Sequence, residues 1–163
     1  MPDSSGQVLF LCTANTCRSP MAAALVQHAL AAEPEPLHSV KILSAGVSAL
    51  DGYPPSANSA QALRKVGITL NNHRSKRVTQ EMLDASLAAF CMTEAHRAML
   101  ELQYDTSRTQ VLLMRELLDT AERDIPDPFG SNLQAYEACR DSMVEAIPAI
   151  LSYLRGILAQ KPS

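Results

Sequence analysis

The sequence predicts an α/β fold, a small doubly wound sheet of four parallel strands flanked by helices. Short apolar runs alternate with longer stretches of helical character, which implies parallel pairing and right-handed crossovers. The first apolar run, at residues 8–11, leads into a tight loop and then an alanine-rich helical stretch at 21–32. In doubly wound sheets ligands bind at the carboxyl ends of strands, so this loop is the expected binding site.

Each predicted element has a local signal. The four predicted strands are the apolar runs at residues 8–11, 40–43, 87–91 and 111–114. The predicted helices occupy residues 21–32, 56–66, 94–103 and 131–158. Gly67 closes the second helix, Ser131 caps the last one, and Pro148 is expected to kink or divide it. No linker or repeat interrupts the pattern, so we expect a single domain at 1–163 with its core at about 7–159.

Composition and charge limit the classes of function. The net charge of −3 does not favour nucleic acid or an anionic membrane as a partner, and the absence of Trp argues against a base-stacking surface. We expect no secretory signal and no stretch long enough to span a bilayer. The four cysteines have neither disulfide-framework nor zinc spacing. The expected setting is the reducing cytoplasm, with the protein acting as a monomer.

The loop at residues 12–20, with the sequence CTANTCRSP, carries the most informative pattern in the chain. Cys12 ends the first strand, and Arg18 comes six residues later at the start of a helix. The backbone N–H groups of such a loop, together with a helix N-terminus, can bind one phosphate. A thiol then lies beneath that phosphate and a guanidinium beside it. This phosphate loop therefore indicates the chemistry of a cysteine-based phosphatase.

A second pair with the same spacing, Cys91 and Arg97 in CMTEAHR, is interpreted as structural. Glu94 would place a negative charge where a phosphate should bind, and Ala98 supplies no hydroxyl after the arginine. Thr93 instead has the character of a helix N-cap after a strand. The first loop contains no acidic residue, which makes it the stronger candidate.

Each side chain of the first loop has its own expected role in the reaction. Cys12 is the candidate nucleophile, since a helix N-terminus, loop amides and a neighbouring guanidinium all favour a thiolate. Arg18 is the candidate clamp, because its planar fork can bind two phosphoryl oxygens at once. Ser19 can donate to the thiolate and help it leave, and Asn15 tolerates the left-handed conformation of a tight anion loop. The other loop residues expected to contact phosphate or substrate are Thr13, Ala14, Thr16 and Cys17.

A cysteinyl-phosphate cycle also needs a general acid to protonate the leaving group. The candidates are Asp127 and Asp124 in the segment DIPDPFG, where two prolines can stiffen a loop that holds a carboxylate over a pocket. Spacing alone leaves the choice open, and by pattern alone an Asx turn before Pro128 accounts for Asp127 better than a catalytic role does. His73 is interpreted as a buried strut for the phosphate loop, without a role in proton transfer.

With these residues in place, the chain resembles the low-molecular-weight protein tyrosine phosphatase family. The resemblance runs over nearly the whole length. It rests on the order and spacing of five blocks: CTANTCRSP, SAG at 44–46, NHRSKR at 72–77, CMT at 91–93 and DIPDPFG at 124–130.

The resemblance implies a division of roles that spacing alone does not decide. It implies Cys12 as nucleophile, Arg18 as clamp, and Asp127, rather than Asp124, as acid and then base. It further implies that no metal or cofactor is required. The residues that it implies form a supporting hydrogen-bond network are Asn15, Ser19, Ser44 and His73.

Two departures from the family's pattern concern the loop and the substrate. Ala14 stands where the family usually has Gly, and a positive φ there would cost on the order of 1 kcal/mol. Tyrosine-specific members usually carry an aliphatic residue at the position of Thr16 and an aromatic pair where this chain has Phe129 and Gly130. The pattern CTxNTCRSP with DPFG is similar to the protein-arginine phosphatase branch, which cleaves the P–N bond of phosphoarginine. We therefore expect phosphoarginine in proteins as the substrate, with phosphotyrosine as the alternative. Phe129 is expected to contact the substrate.

Two other classes of function fit the sequence less well. Thioredoxin-linked arsenate reductases share the fold but need two further cysteines seven apart, and Ala98 stands seven residues after Cys91. A phosphoprotein-binding module without turnover would be expected to lack the nucleophile or the acid. The expected partners are phosphorylated proteins, and the expected product is inorganic phosphate.

Overall fold

The computed structural model describes residues 6–70 and 72–160. At its centre four strands form one sheet: β1 Gln7–Cys12, β2 Lys41–Gly46, β3 Ala88–Cys91 and β4 Gln110–Leu113. The strand order is β2-β1-β3-β4, and every neighbouring pair runs parallel. The predicted fold class, a small parallel four-stranded α/β sheet, is confirmed. The expectation about a targeting signal concerns the segment MPDSSGQ and the apolar run after it, and residues 1–5 of that segment lie outside the described residues.

Helices cover both faces of the sheet. They are α1 Arg18–Leu30, α2 Ala57–Arg64, α3 Gln80–Asp84, α4 Glu94–Gln103 and α5 Leu133–Gln160, with a 3₁₀ turn at Leu37–Ser39. Buried side chains of α1, α2 and α5 join one core, and those of α3 and α4 join the core on the opposite face. Because both faces are covered, the strands appear in the sequence as continuous apolar runs instead of alternating ones.

The central strand β1 contributes to both cores. Val8 and Phe10 face the core that contains α1, α2 and α5, whereas Leu9 and Leu11 face the core that contains α3 and α4. The chain leaves β1 toward β2 on one side and later returns to β3 on the other. The carboxyl end of β1, where Cys12 lies, is therefore the switch point of the sheet, the place where a ligand crevice opens.

Two helices differ from the predictions near the site. The first helix, α1, begins at Arg18 and not at residue 21, so this arginine belongs to the first helical turn. Helix α3 was not predicted, because five residues give too short an apolar pattern to recognise. Thr79 begins it by accepting a hydrogen bond from the backbone N–H of Met82 at 3.1 Å.

The prediction that Ser131 caps α5 is wrong by one residue. Asn132 Oδ1 accepts from the backbone N–H of Ala135 at 3.0 Å, whereas the N–H of Ser131 donates to the Pro128 carbonyl in the preceding turn at 2.9 Å. Pro148 does not divide the helix, which continues from Leu133 to Gln160. Side chains on both sides of the proline pack in the core, and this packing outweighs the single backbone hydrogen bond that proline removes.

Helix α5 also bears on the expectation that no stretch could span a bilayer. By length and composition alone it could do so, with 28 residues and a mean hydropathy of 1.3 in its most apolar window. A single such helix is weak evidence, because the core helix of a soluble protein passes the same test. Met143, Ile150 and Leu154 of α5 are completely buried against the sheet and α1.

Candidate active site

The loop between β1 and α1 lies at the carboxyl end of β1 and leads directly into the N-terminus of α1. Asn15, in the middle of the loop, has a φ of 60°, the left-handed conformation that turns the chain back on itself. Within the described residues, no side chain caps α1 and no acidic residue lies in its first turn. The N–H groups and the positive end of the helix dipole are therefore left for an anion.

The segment after β2 supports this loop from the side. The N–H of Val47 donates to the Cys12 carbonyl at 2.9 Å, and the N–H of Ser48 donates to the Thr13 carbonyl at 3.0 Å. A Cβ on Gly46 would lie 2.4 Å from the Thr13 carbonyl oxygen, so this close approach requires glycine.

The departure at Ala14 carries no backbone strain. Among the described residues other than glycine, a positive φ occurs at Asn15 and Asn72. Alanine at position 14 therefore does not incur the cost that a left-handed conformation would impose.

Asn15 joins the loop to three neighbouring segments. Its amide nitrogen donates to Ser19 Oγ at 2.7 Å and to Ser44 Oγ at 3.0 Å, and its Oδ1 accepts from the N–H of Lys76 at 3.0 Å. Burial lowers the pKa of His73, whose neutral ring donates from Nε2 to the Asn15 carbonyl at 2.8 Å. The structure thus brings the four residues of the expected supporting network together, with Asn15 at the centre.

The thiol of Cys12 lies at the base of the loop. Its Sγ is 3.0 Å from Ser19 Oγ, and both residues are almost completely buried. Since Asn15 already donates to Ser19 Oγ, the hydroxyl proton can point to the sulfur or to the Ala45 carbonyl, 3.3 Å away. This arrangement suits a hydroxyl that donates to a thiolate whenever the thiolate is present.

The guanidinium of Arg18 is buried, yet it lines the cavity beside the thiol. NH1 donates to the Ile125 carbonyl at 2.9 Å, and NH2 lies 3.7 Å from Asp127 Oδ2. NH2 is also 3.4 Å from Nε2 of His96. The position and planar shape of this group suit the binding of two phosphoryl oxygens.

The two candidate acids have different partners in the structure. Asp124 Oδ1 accepts from the backbone N–H of Glu94 at 2.9 Å, so it is engaged at the N-terminus of α4. Asp127 Oδ1 accepts from the N–H of Phe129 at 3.0 Å, which is the Asx turn that the sequence also allowed. The other oxygen of Asp127 faces Arg18, and its side chain remains 52% exposed. The geometry therefore favours Asp127 as a group that exchanges protons with a bound substrate.

A cavity of about 210 Å³ contains these groups. Its lining residues are Cys12, Thr13, Ala14, Thr16, Cys17, Arg18, Asp127 and Phe129. Phe129 is 77% exposed and forms part of the rim, so it is available to contact whatever enters. A larger cavity of about 520 Å³ lies behind the Asp124 segment, but none of its lining residues is a cysteine.

Cys17 belongs to the phosphate loop, but the contacts of its thiol are with residues outside the network around Asn15. It is 6% exposed, and its Sγ is 3.8 Å from Thr16 Oγ1 and 3.6 Å from the hydroxyl of Tyr136 on α5. Burial raises the pKa of Tyr136 to about 12, so the phenol stays protonated beside the thiol. Tyr136 was not predicted, because its contact depends on how α5 packs against α1.

The second cysteine–arginine pair is structural, as the sequence indicated. Cys91 is completely buried, and this burial raises the pKa of its thiol to about 12. Arg97 pairs with Glu94 on its own helix and with Glu116, at 2.6 Å. Thr93 Oγ1 accepts from the N–H of His96 at 3.2 Å and caps α4.

Sequence reasoning missed His96 as a neighbour of the site. Its Nε2 lies 2.8 Å from the hydroxyl of Thr13, at the back of the phosphate loop. The signal that could have found it is topological. Helix α4 starts directly after β3, and β3 lies beside β1, so the first turn of α4 must lie near the loop after β1.

The sequence matches the family model "Low molecular weight phosphotyrosine protein phosphatase" over residues 7–159. The chain belongs to this family. The chain is therefore a phosphatase, as predicted. Its relatives carry the names protein-arginine-phosphatase and protein-tyrosine-phosphatase.

Individual relatives are similar to this phosphatase over nearly their whole lengths. The protein-arginine-phosphatase of Bacillus subtilis (strain 168) is 33% identical over 148 residues, covering 91% of this chain and 96% of the relative. The structure of the YwlE arginine phosphatase from Geobacillus stearothermophilus has a TM-score of 0.83 at 30% identity, covering 97% of this chain and 98% of that one. A low molecular weight protein tyrosine phosphatase from T. tengcongensis has a TM-score of 0.82 at 31% identity, covering 91% of this chain and 99% of that one.

Proposed function

We propose that this phosphatase removes phosphoryl groups from proteins through a cysteinyl-phosphate intermediate on Cys12. The observation that carries the proposal is that one cavity is lined by the Cys12 thiol, the Arg18 guanidinium and the Asp127 carboxyl group. A nucleophile, an anion clamp and a proton donor are the groups that phosphoryl transfer through cysteine requires.

In the first step, the thiolate of Cys12 attacks phosphorus. An S–P bond forms while the bond from phosphorus to the leaving oxygen or nitrogen breaks. The N–H groups of the loop and the fork of Arg18 hold the phosphoryl oxygens, whose charge they stabilise in the transition state. Asp127 gives its proton to the departing group, which then leaves as a neutral species or as a guanidinium.

In the second step, Asp127 acts as a base. It takes a proton from a water molecule whose oxygen attacks phosphorus, and inorganic phosphate forms as the S–P bond breaks. The electron pair of that bond returns to sulfur, where the Ser19 hydroxyl, 3.0 Å away, donates a hydrogen bond to the departing thiolate. Asn15 holds this hydroxyl in place through its amide.

We infer that the substrate residue is phosphoarginine. The relatives from Bacillus subtilis and Geobacillus stearothermophilus, which are 33% and 30% identical, carry the name arginine phosphatase. In this chain Thr16 brings a small hydroxyl side chain to the cavity, and Phe129 is the one aromatic residue in its lining. A polar N–H group fits this wall better than a rigid apolar ring does.

Phosphotyrosine is the alternative substrate residue. The name of the family and the relative from T. tengcongensis favour it. The exposed ring of Phe129 at the rim would pack against a phenyl group as readily as against a guanidinium.

We also propose that the phosphatase acts in the cytoplasm as a monomer. Its four cysteines are free thiols in the structure, and a reducing compartment keeps them so. The buried face of α5 is occupied by the protein's own core. Size-exclusion chromatography with light scattering, and fractionation of cells, test these two statements.

A panel of matched peptides tests the substrate. Peptides that carry phosphoarginine, phosphotyrosine or phosphoserine at one position are compared by kcat/KM in the presence of EDTA. We expect hydrolysis without metal and the highest kcat/KM for phosphoarginine. A preference for phosphotyrosine would replace the substrate assignment, whereas inactivity toward all three peptides and an aryl phosphate would contradict the cysteine chemistry.

A further inference from the structure

His96 of α4 is buried behind the phosphate loop and touches two of its residues. It is 5% exposed, and its Nε2 lies 2.8 Å from Thr13 Oγ1 and 3.4 Å from NH2 of Arg18. Helix α4 packs on the face of the sheet opposite to α1, so this ring connects the clamp to an element that otherwise takes no part in the site.

The chemistry of the partners defines the state of the ring. A guanidinium can only donate, so NH2 of Arg18 requires a lone pair on Nε2, and the ring proton must then be on Nδ1. The Thr13 hydroxyl, 2.8 Å away, can donate to the same nitrogen, so the two donors share its one lone pair. Nδ1 is buried and has no hydrogen-bond partner within the described residues. The hydrogen bonds of the ring are therefore directed entirely to the phosphate loop.

Burial and the positive charge of Arg18 keep the ring neutral. Burial is the largest cause that lowers the pKa of His96, to about 4, and the positive charge of Arg18 is the second. Asp127 and Asp124, from the neighbouring loop, act in the opposite direction but are outweighed. On α4 itself, Glu94 and Arg97 are paired with each other. A second cation 3.4 Å from the clamp would push the guanidinium away.

We propose that His96 is a positioning residue for the phosphatase reaction, which holds the Thr13 hydroxyl and NH2 of Arg18 in the geometry that receives a phosphoryl group. The proposal rests on the assignment of Arg18 as the phosphate clamp. The Ile125 carbonyl holds NH1 at 2.9 Å and His96 holds NH2, so the two nitrogens of the fork are fixed from the protein side. The clamp is then organised before substrate arrives.

The contact with His96 is expected to keep NH2 of Arg18 from pairing more closely with Asp127. NH2 of Arg18 lies 3.7 Å from Asp127 Oδ2 in the structure, a distance longer than a hydrogen bond. Without His96, the guanidinium can move toward this carboxylate and form a closer pair. The pair would compete with phosphate for the clamp and would favour the ionised form of Asp127, which has no proton to give to the leaving group. Phosphate binding should therefore weaken, and the rate of turnover should fall.

Two replacements of similar polarity separate positioning from packing. In His96→Gln the terminal amide oxygen can occupy the place of Nε2 and accept from Thr13 and Arg18. In His96→Asn the shorter amide reaches only the place of Nδ1 and leaves both partners without an acceptor. His28→Asn, on the exposed surface of α1, is the control for an ordinary histidine replacement.

The measurements are kcat and KM for an aryl phosphate, the Kd of inorganic phosphate by calorimetry, and Tm. We expect His96→Asn to lower kcat/KM between about ten- and a hundredfold, the cost of a misplaced catalytic group. It should also weaken phosphate binding. His96→Gln should restore most of both, and His28→Asn should match the wild type. Equal losses in the Gln and Asn variants, or none in either, would overturn the proposal.

Thr13→Val tests the proposal if His96→Asn does not fold. It keeps the shape of the side chain and removes the hydroxyl, so it should weaken phosphate binding less than the loss of the ring does. NH2 of Arg18 keeps its contact with Nε2 of His96 in this variant, so the loss of phosphate affinity should be partial and Tm should stay near that of the wild type. An unchanged phosphate Kd in Thr13→Val would overturn the proposal. If the wild type binds phosphate without hydrolysing any substrate, the proposed function fails while the phosphate Kd of these variants still decides the role of His96.

Discussion

Cys12 and Cys91 end two adjacent parallel strands, yet their surroundings are opposite. The thiol of Cys12 lines the cavity beside Arg18, whereas Cys91 is sealed in the core and burial raises its pKa to about 12. A cysteine followed six residues later by an arginine therefore occurs twice in the chain. The first cysteine lines the cavity at the carboxyl end of β1, and the second lies in the core, level with Leu11 of β1. The two strands lead into different segments. Cys12 is followed by a loop and a helix, α1, that no side chain caps within the described residues, whereas Cys91 is followed by a capped helix that bears Glu94.

Replacing the two cysteines separates these environments. Cys12→Ser should abolish turnover while inorganic phosphate and vanadate still bind, because the loop amides and Arg18 remain. Cys91→Ser should keep kcat/KM near that of the wild type and lower the free energy of unfolding by about 1–3 kcal/mol, since it buries a hydroxyl. Steady-state kinetics and thermal unfolding measure both. If Cys91→Ser were the inactive variant, the assignment of the site would be wrong.

The second prediction compares the two acids. Asp127→Asn should lose roughly 10²- to 10⁴-fold in rate, and the loss should shrink for an aryl phosphate with a good leaving group, which needs less protonation. Asp124→Asn keeps an oxygen for the N–H of Glu94 and should change kcat far less. Asp124→Ala removes that oxygen and should cost roughly 0.5–2 kcal/mol of stability. Equal losses in Asp127→Asn for good and poor leaving groups would mean that this residue only shapes its loop.

His96, which is buried, and His73, which is half-buried, make the stability of the fold depend on pH. The pKa of His96 in the folded protein is about 4, below the usual 6.5, and that of His73 is also lowered. The unfolded chain therefore binds more protons in this range, and stability rises with pH. The contribution of neutral His96 is complete above about pH 6.5 and is lost as the pH falls toward 4.

Denaturant unfolding of the wild type and His96→Gln between about pH 4 and 8 measures this effect. The wild type should lose stability on acidification more steeply than the variant, whose amide does not titrate. His73 remains in both proteins and cancels in the difference. Parallel curves would show that His96 is not held neutral by its surroundings.

The second cysteine of the site, Cys17, is expected to protect Cys12 from irreversible oxidation. Cys17 lies five residues from Cys12 in the same loop, and a thiolate oxidised to sulfenic acid can be trapped by a nearby thiol as a disulfide. We expect peroxide to inactivate the phosphatase and dithiothreitol to restore it, with poorer recovery in Cys17→Ser because over-oxidation is not prevented. Tyr136→Phe, which removes the hydroxyl beside Cys17, is a control for packing changes. Identical recovery of Cys17→Ser and wild type would exclude Cys17 from this mechanism.

The fold and the centre of the site could be predicted because their signals are local. Cys12 and Arg18 lie within one strand–loop–helix unit, and the pattern of that unit is visible in a single stretch of sequence. The choice between Asp124 and Asp127 could not be made from spacing, because both carboxylates occupy one proline-rich loop. Their separate partners, Glu94 and Arg18, come from other elements of the fold.

Contacts that depend on packing could not be predicted from residue spacing, although the strand order, once known, places the first turn of α4 near the phosphate loop. His96 reaches the phosphate loop because β3 lies beside β1, and no spacing in the sequence encodes that neighbour relation. Tyr136 meets Cys17 only through the packing of α5. The cap of α5 shifted from Ser131 to Asn132 because adjacent polar residues offer the same helix signal, and the preceding turn decides between them.

The last prediction concerns specificity. Thr16 lines the cavity inside the phosphate loop, where its side chain can meet the first atoms beyond phosphorus. Its hydroxyl tolerates a polar N–H group, and its small size leaves room for a planar guanidinium. Thr16→Ile should fill that space with an apolar surface, lower kcat/KM for phosphoarginine peptides and raise it for phosphotyrosine peptides. A change of this kind typically provides about 1–3 kcal/mol of discrimination, so the ratio should shift by at least about tenfold.

Two companion variants locate the origin of the preference. Thr16→Val replaces the hydroxyl by a methyl group at nearly constant volume, so it separates polarity from size. If polarity is decisive, Val should shift the ratio as far as Ile does, and if size is decisive it should stay near the wild type. Phe129→Leu removes the ring at the rim, which is 77% exposed and free to stack on either substrate. An unchanged ratio in both Thr16 variants together with a large change in Phe129→Leu would move specificity from the loop to the rim, and the cysteine chemistry would stand.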